Sequence, residues 1–561
     1  MLKPVREKLL ARLLYIGVPF ISVLVVNETV TDPVNAPKFL ILGVIAIGCL
    51  PILFLEMKDR GLRQHLTLIV LSSIFVLVSL VVLLSSQSPL TQSLYGVYGR
   101  NNGFLSYIFL VVILLSAAML NQGITFERLL WGLLAAGVIN VIYCGWVLAF
   151  GDFMSWSNPY GNILGTFGNP NFIGAFLGIF STVWFAILFS GIANKWFKLA
   201  SIIVLPLTLF EIIQSAAIQG RVLFAGGLCI VLFFWLRFRF QNRVITSTYV
   251  LLVLTTGVLA IAGALQRGPF TETIYKTSVS LRGQYWLAGW NTGQSHPFTG
   301  VGFDAFGDWY RRMRDLHALT LPGPNTVVNT AHNVPLDMFA FGGWPLLVSY
   351  LGLMTFVSVK ILAKARTLQN YDWVFIALSA SWACYQVQSL ISINQIGLAA
   401  WGWVLSGAVI GYVRFMDYGS KSLSPEIRRR EKIETFSPSI LVWIGLVIGG
   451  LIAAPPISAD LKWMDAQRTR SVVELEKSLA PAYLNPQNSI KYVNSIRAFE
   501  ESGLFDLARK YALQATEFNP DNYDSWRALY VIQNSTEAEK LIALNNMKRL
   551  DPLNPNVESN Q

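Results

Sequence analysis

Histidine is scarce in this chain, four in 561 residues, and one of the four stands where it could work as a base. In "NTAHNVPLDMFAFGGWPLLVSYL", residues 329 to 351, a polar segment ends at His332 and Asn333 and a long apolar run begins. An imidazole ordinarily titrates near about pH 6.5, so it can accept a proton at neutral pH, and histidine is the commonest general base. A histidine that merely bonds a loop carbonyl at a membrane boundary would leave the same pattern, so both roles stand for His332. His296, in "SHPFTGVGF", precedes a proline and two glycines and reads as part of a structural turn. His317, in the basic stretch "YRRMRDLH", reads as part of a surface or headgroup-facing helix.

Three arginines could supply the complementary chemistry. Arg100 lies in "YGVYGRNNGFLSY", Arg221 follows "IQSAAIQG", and Arg282 lies in "SVSLRGQYWLAGW". A guanidinium is a planar fork of donors that matches phosphate oxygens two at a time. Deep in a bilayer an arginine costs about 2.5–3.5 kcal/mol, but near the boundary it can snorkel to the headgroups. Singly, each therefore reads as an interfacial anchor; three with a histidine on one face would suit a lipid-linked diphosphate. "GTFGNPNFIGAFLG" adds Asn169 and Asn171 around Pro170. Those asparagines read either as a helix cap and turn or as amides that position a sugar.

Whether these groups can meet depends on the elements that carry them. The chain is 53% hydrophobic and 13% charged, where soluble domains carry about a quarter charged residues. Apolar runs near the ~20-residue bilayer length recur as far as about residue 457. Spanning strands would be shorter alternating segments, and none is evident. The expected class is all-α, a polytopic helical membrane protein. Thirteen candidate spans begin near residues 10, 38, 66, 104, 129, 170, 197, 221, 246, 333, 374, 396 and 438. The first follows "MLKPVREKLLAR", lacks an A-x-A site and reads as a retained span.

One set of alternating loops, including 57–65, 192–198 and 414–437 with its run "RRREK", carries 22 Lys and Arg. The short connections opposite hold just Lys38, Arg100 and Arg221. Basic residues near span ends stay on the cytoplasmic side. The long loop 266–332, with Arg282 and His332, and the C-terminal tail are therefore expected outside. The net charge of +11 is spread between spans rather than gathered on one soluble face, which argues against a nucleic-acid partner.

Absences narrow the chemistry. Cys49, Cys144, Cys229 and Cys384 all fall in apolar runs without a CxxC pair. The sequence holds no Asp-x-Asp, no Walker motif and no serine nucleophile elbow. No cluster with metal-ligand spacing occurs in the outer loops, so neither a metal nor another cofactor is expected.

After Pro456 the composition turns soluble and helical. "LNPQNSIKYVNSI" and "FNPDNYDSWRALY" put Pro486 and Pro520 34 residues apart, and Pro552 follows 32 later. That period, with Gly503, Ala508 and Ala512 where helices must approach closely, matches the tetratricopeptide repeat; an unrelated helical hairpin is the alternative. The domains expected are a membrane body, 1–457, and a helical-repeat tail, 458–561. Too few repeats are visible for the tail to stand alone, so it should lean on the membrane body or on a protein partner.

"GRNNGF", "GTFGNPN", "QGR", "LRGQYWLAGWNTGQSHPFTGVGFDAF" and "AHNVPLDMFAFGG" together resemble the signatures of the O-antigen ligase (Wzy-C) family, over roughly residues 30–415. The family includes O-antigen ligases, O-antigen polymerases and protein O-oligosaccharyltransferases. The resemblance implies a GT-C-type glycosyltransferase fold of about a dozen helices in a bacterial inner membrane, with no metal. It implies an undecaprenyl-diphosphate-linked glycan as donor, Arg221 and Arg282 on the diphosphate, and His332 as base; Arg100 matches the pattern less closely. Two departures stand out: "QGR" replaces an expected Ser-Arg-Gly pattern, and a thirteenth span adds the tail. The acceptor could therefore be a glycolipid, a polysaccharide or a protein.

On that resemblance His332 would take the proton of an acceptor hydroxyl as its oxygen attacks C1, while the arginines stabilise the departing diphosphate. One displacement inverts the anomeric centre. A lipid or polysaccharide transporter is the rival from another class, and Glu211, inside the seventh apolar run, is the residue that favours it.

Overall fold

The computed structural model describes residues 2–60, 65–191, 194–419, 437–555 and 557. Within them the chain is helical, apart from an isolated β-bridge between Ala482 and Asn485. Each of the thirteen apolar runs lies in its own helix. Eleven helices among the described residues are long and apolar enough to cross a membrane. The other two fall short for different reasons. Leu2–Val23 opens on charged turns, and Phe104–Ala118 has only 15 residues, about 22 Å of helix against a hydrocarbon core of about 30 Å. The "RRREK" run lies outside the described residues.

Ile396–Tyr418 is the axis of the membrane body, buried along its length, with Trp401 and Trp403 wholly enclosed. Its polar atoms are matched rather than exposed: Ser406 Oγ accepts from Trp382 Nε1 at 2.8 Å, and Trp401 Nε1 donates to Ser22 Oγ at 2.6 Å. In hydrocarbon such pairing is the alternative to an unsatisfied group. Arg243–Ala264 is the opposite case, a peripheral helix with none of its apolar window buried. Pro438–Thr469 packs on Asn35–Arg60 through small residues: a Cβ on Gly449 would meet the Gly43 carbonyl at 2.6 Å. Gly445 and Gly449 form the small-xxx-small spacing that lets two backbones touch.

The helix that follows His332 is broken. Val334–Thr367 is interrupted at Gly342 and Gly343, the latter at φ 62° and ψ −159°, a region open essentially to glycine. The break frees two carbonyls and an amide, and the segment after His296 takes them up. Val301 and Gly302 donate to the carbonyls of Ala340 and Phe341 at 2.9 and 3.0 Å, and Trp344 donates to Pro297 at 2.8 Å. "SHPFTGVGF" is thus the clamp on a discontinuous helix, in keeping with the turn expected there.

Pro438–Thr469 runs unbroken past residue 457 into the tail, which continues as Val472–Leu479, Ser489–Glu501, Phe505–Phe518, Tyr523–Val531 and Glu537–Leu550. The tail leans on the loop between residues 266 and 332. This corrects the reading of "YRRMRDLH" as surface or headgroup-facing. Arg311 and Arg314 are buried on Asp551, at 3.1 and 2.7 Å, and Arg312 meets Asp521 at 3.1 Å. Only His317 of that stretch is exposed among the basic side chains so far named. Its neighbours were neutralised by partners more than 200 residues away.

Candidate functional site

His332 is held in an unusual conformation. It lies at φ 53°, the left-handed region that non-glycine residues avoid. Hydrogen bonds on either side pin it there: its own N–H donates to Thr330 Oγ1 at 3.0 Å, and the Ala331 N–H donates to Asp337 Oδ1 at 2.8 Å. Asn333 then caps the helix, its Oδ1 accepting from Leu336 N–H at 3.0 Å. Such a cap contributes about 1 kcal/mol. Its Nδ2 donates to the Leu390 carbonyl at 2.8 Å, tying the loop to the end of helix Trp373–Ile391. Asn333 therefore positions its neighbour.

The side chain of His332 is half-buried, with the Tyr285 ring over it at a centroid distance of 5.4 Å. Tyr285 comes from Thr277–Ser295, the helix that also carries Arg282. Burial first, then the guanidiniums of Arg100 and Arg282, push the imidazole down to about pH 3. Arg100 and Arg282 are thus electrostatic neighbours of His332, although they come from segments about 180 residues apart in sequence. Burial likewise lowers Arg282. Among the described residues neither arginine has a carboxylate within ion-pair distance. Among the described residues Arg100 Nε is buried without a hydrogen-bond partner, as are Gln284 Oε1 and Trp286 Nε1 on the helix of Arg282. Buried polar atoms without partners are costly unless something binds them. Two unpaired cations and a neutral imidazole can bind an anion and accept a proton.

Arg221 stands apart from this group. It is exposed on the first turn of Ile218–Phe240, beside the start of Pro170–Leu188. There Gln219 Nε2 donates to the Asn171 carbonyl. Asn169 is the helix N-cap, accepting from Asn171 N–H at 2.9 Å, and its Nδ2 donates to Tyr160 at 3.1 Å. The Asn169 side chain thus holds local structure, to which Asn171 contributes backbone atoms. Arg221 reaches the His332 region through one element: Cys384, on the helix whose end Asn333 holds, donates its thiol to the Leu223 carbonyl at 3.5 Å.

The remaining candidates lie elsewhere. His296 bonds Ser295 Oγ and packs edge-on against Trp309. His65 sits by Arg414, away from the loop, and accepts from that guanidinium. Glu211 is wholly buried in Lys195–Gln214 with both carboxylate oxygens unpartnered among the described residues. No group of three His, Cys, Asp or Glu side chains among the described residues could hold a metal. Sequence reasoning missed Tyr285, Asp337 and Asp304, which is wholly buried and lies near Arg100. Only the aromatic-rich "LRGQYW" hinted at the first.

No curated protein matches this chain. Residues 203–351, which hold Arg221, Arg282, His332, Asn333 and the broken helix, match the family model described as Wzy_C, O-Antigen ligase.

Proposed function

We propose that this membrane protein transfers a glycan from an undecaprenyl-diphosphate carrier to an acceptor hydroxyl on the extracytoplasmic face. The observation that carries the reading is the convergence of Arg100 and Arg282 on His332, neither of them in a salt bridge among the described residues, with Asp304 and Asp337 near enough to Arg100 to feel its charge. The match to an O-antigen ligase family model over residues 203–351, which hold Arg282 and His332 but not Arg100, supports it. The acceptor oxygen forms its bond to C1 as the bond from C1 to the diphosphate breaks. The hydroxyl proton passes to His332, and the diphosphate leaves with its charge on the guanidiniums. Arg221, with Asn169 and Asn171, supplies a second set of contacts on the carrier or its first sugar. The tail reads as tetratricopeptide-like, since Pro486 and Pro520 each precede a helix pair, and it would take a protein partner.

The test is His332→Ala in a transfer assay with labelled lipid-linked glycan. Loss of transfer by about 100-fold or more, with carrier binding retained, is expected; full activity removes His332 from the reaction. The same assay on wild type separates ligation or protein O-glycosylation, which give single transfer, from polymerisation, which gives a ladder. The unpartnered Glu211 carboxylate favours a transport reading, which predicts substrate movement without glycosidic bond formation.

A further inference from the structure

The loop that carries Arg100 is held from behind by the tail. Asn519 and Asn522, between two tail helices, donate through Nδ2 to the Asp308 carboxylate at 3.1 and 3.0 Å. Gln92, buried in the short helix Leu90–Tyr95, donates to the same carboxylate at 3.1 Å and to the Asp304 carbonyl at 3.4 Å. Asp304 Oδ2 accepts the Val97 N–H at 2.7 Å. The Arg100 N–H in turn donates to the Val97 carbonyl at 3.1 Å, closing the turn that carries the guanidinium. Burial raises the Asp304 carboxyl, and the charge of Arg100 opposes that rise.

The links are hydrogen bonds, several of them to carboxylates, among groups of which Gln92, Asp304 and Asn519 are buried. Bonds of that kind are strong and leave a costly orphan when one partner is removed. They run from the tail to the turn that carries Arg100.

We propose that the docked tail is part of the donor site, because the Asn519 and Asn522 contacts, relayed by Asp308, Gln92 and Asp304, set Arg100 beside His332. The inference rests on the reading of Arg100 and His332 given above. Asp308, Gln92 and Asp304 are positioning residues in this scheme and touch no substrate. The charged and titratable groups around His332 are Arg100, Arg282, Tyr285 and Asp337, and the relay reaches only the first.

The test uses the full chain in lipid nanodiscs with the double variant Asn519→Ala/Asn522→Ala. Arg311 and Arg314 keep their bridge to Asp551 in this variant, so the tail stays docked; limited proteolysis near residue 470 verifies that. The expected result is a KM for the lipid-linked donor raised about tenfold, and an acidic limb of kcat/KM moved to higher pH as Arg100 withdraws from His332. Gln92→Leu, made from the membrane-body side, should give the same pair of changes, while Lys540→Ala on the exposed tail surface should give neither. A lower kcat with donor KM and acidic limb unmoved would mark the tail as mere support and overturn the proposal. Wild-type protein that neither binds undecaprenyl diphosphate nor transfers glycan would overturn the reading of the site as well.

Discussion

Tyr285 lies against the His332 imidazole with the two ring planes 32° apart. One helix, Thr277–Ser295, therefore delivers both Arg282 and the ring that packs on the proposed base. The phenol itself is dispensable in this arrangement, since contact is through the ring face. Tyr285→Phe should keep most transfer activity. Tyr285→Ala should lower kcat by about 100-fold, the effect of a misplaced reacting group, and steady-state rates with the lipid-linked donor check it.

The acid limb of kcat/KM reports the base in the free enzyme. With its pKa pushed down to about 3, His332 is neutral and able to accept a proton throughout the neutral range. Activity should be flat there and fall only as the pH drops toward that value. Arg100→Gln removes one of the cations that disfavour imidazolium, so the pKa rises and the limb moves to higher pH. Burial and Arg282 still hold it below the ordinary value. A profile that does not move would place Arg100 too far from the ring to act on it.

Asp551 is fully enclosed and faces two guanidiniums. Removing it leaves both charges buried without their counterion, a loss of about 3–5 kcal/mol in comparable cases. Asp551→Ala should lower the melting temperature in detergent and expose the tail to protease near residue 470. Deleting the exposed Lys477–Glu474 pair should change little, as surface pairs contribute about 0–1 kcal/mol.

At Gly343 any side chain meets two obstacles. The backbone lies where only glycine is comfortable, and a Cβ would fall 2.2 Å from the Pro297 carbonyl oxygen. Gly343→Ala should straighten the break or expel residues 297–302 from it. Yield of monodisperse protein on size exclusion should fall sharply, whereas Gly352→Ala, with only Leu71 at 3.7 Å, should fold normally.

The sequence announced what rests on short-range pattern. The apolar runs located their helices because length and hydropathy decide that locally, and His332 with Asn333 stood out because it closes a polar loop. Phe104–Ala118 shows the limit, since a run of apolar letters does not say where the helix stops. Arg221 was grouped with Arg282 by type and motif, yet it stands on a different helix from the His332 pair. Arg100, whose motif matched less closely, is one of the two arginines whose charge acts on His332. Arg311 and Arg314 looked solvent-facing because nothing nearby in sequence reveals that Asp551 covers them. The relay through Gln92, Asp304 and Asp308 was hidden for the same reason: every bond before the closing Arg100–Val97 turn joins segments at least 200 residues apart, and no local period records them.

The Asp551 bridge also bears on the order in which the molecule matures. During synthesis the ribosome delivers Arg311 and Arg314 some 240 residues before the carboxylate that neutralises them. Until that late residue arrives, the segment around them has two cations with nowhere dry to go. A polypeptide cut off before residue 551 would consequently lack the carboxylate that covers Arg311 and Arg314, and the loop would lose that tether to the tail.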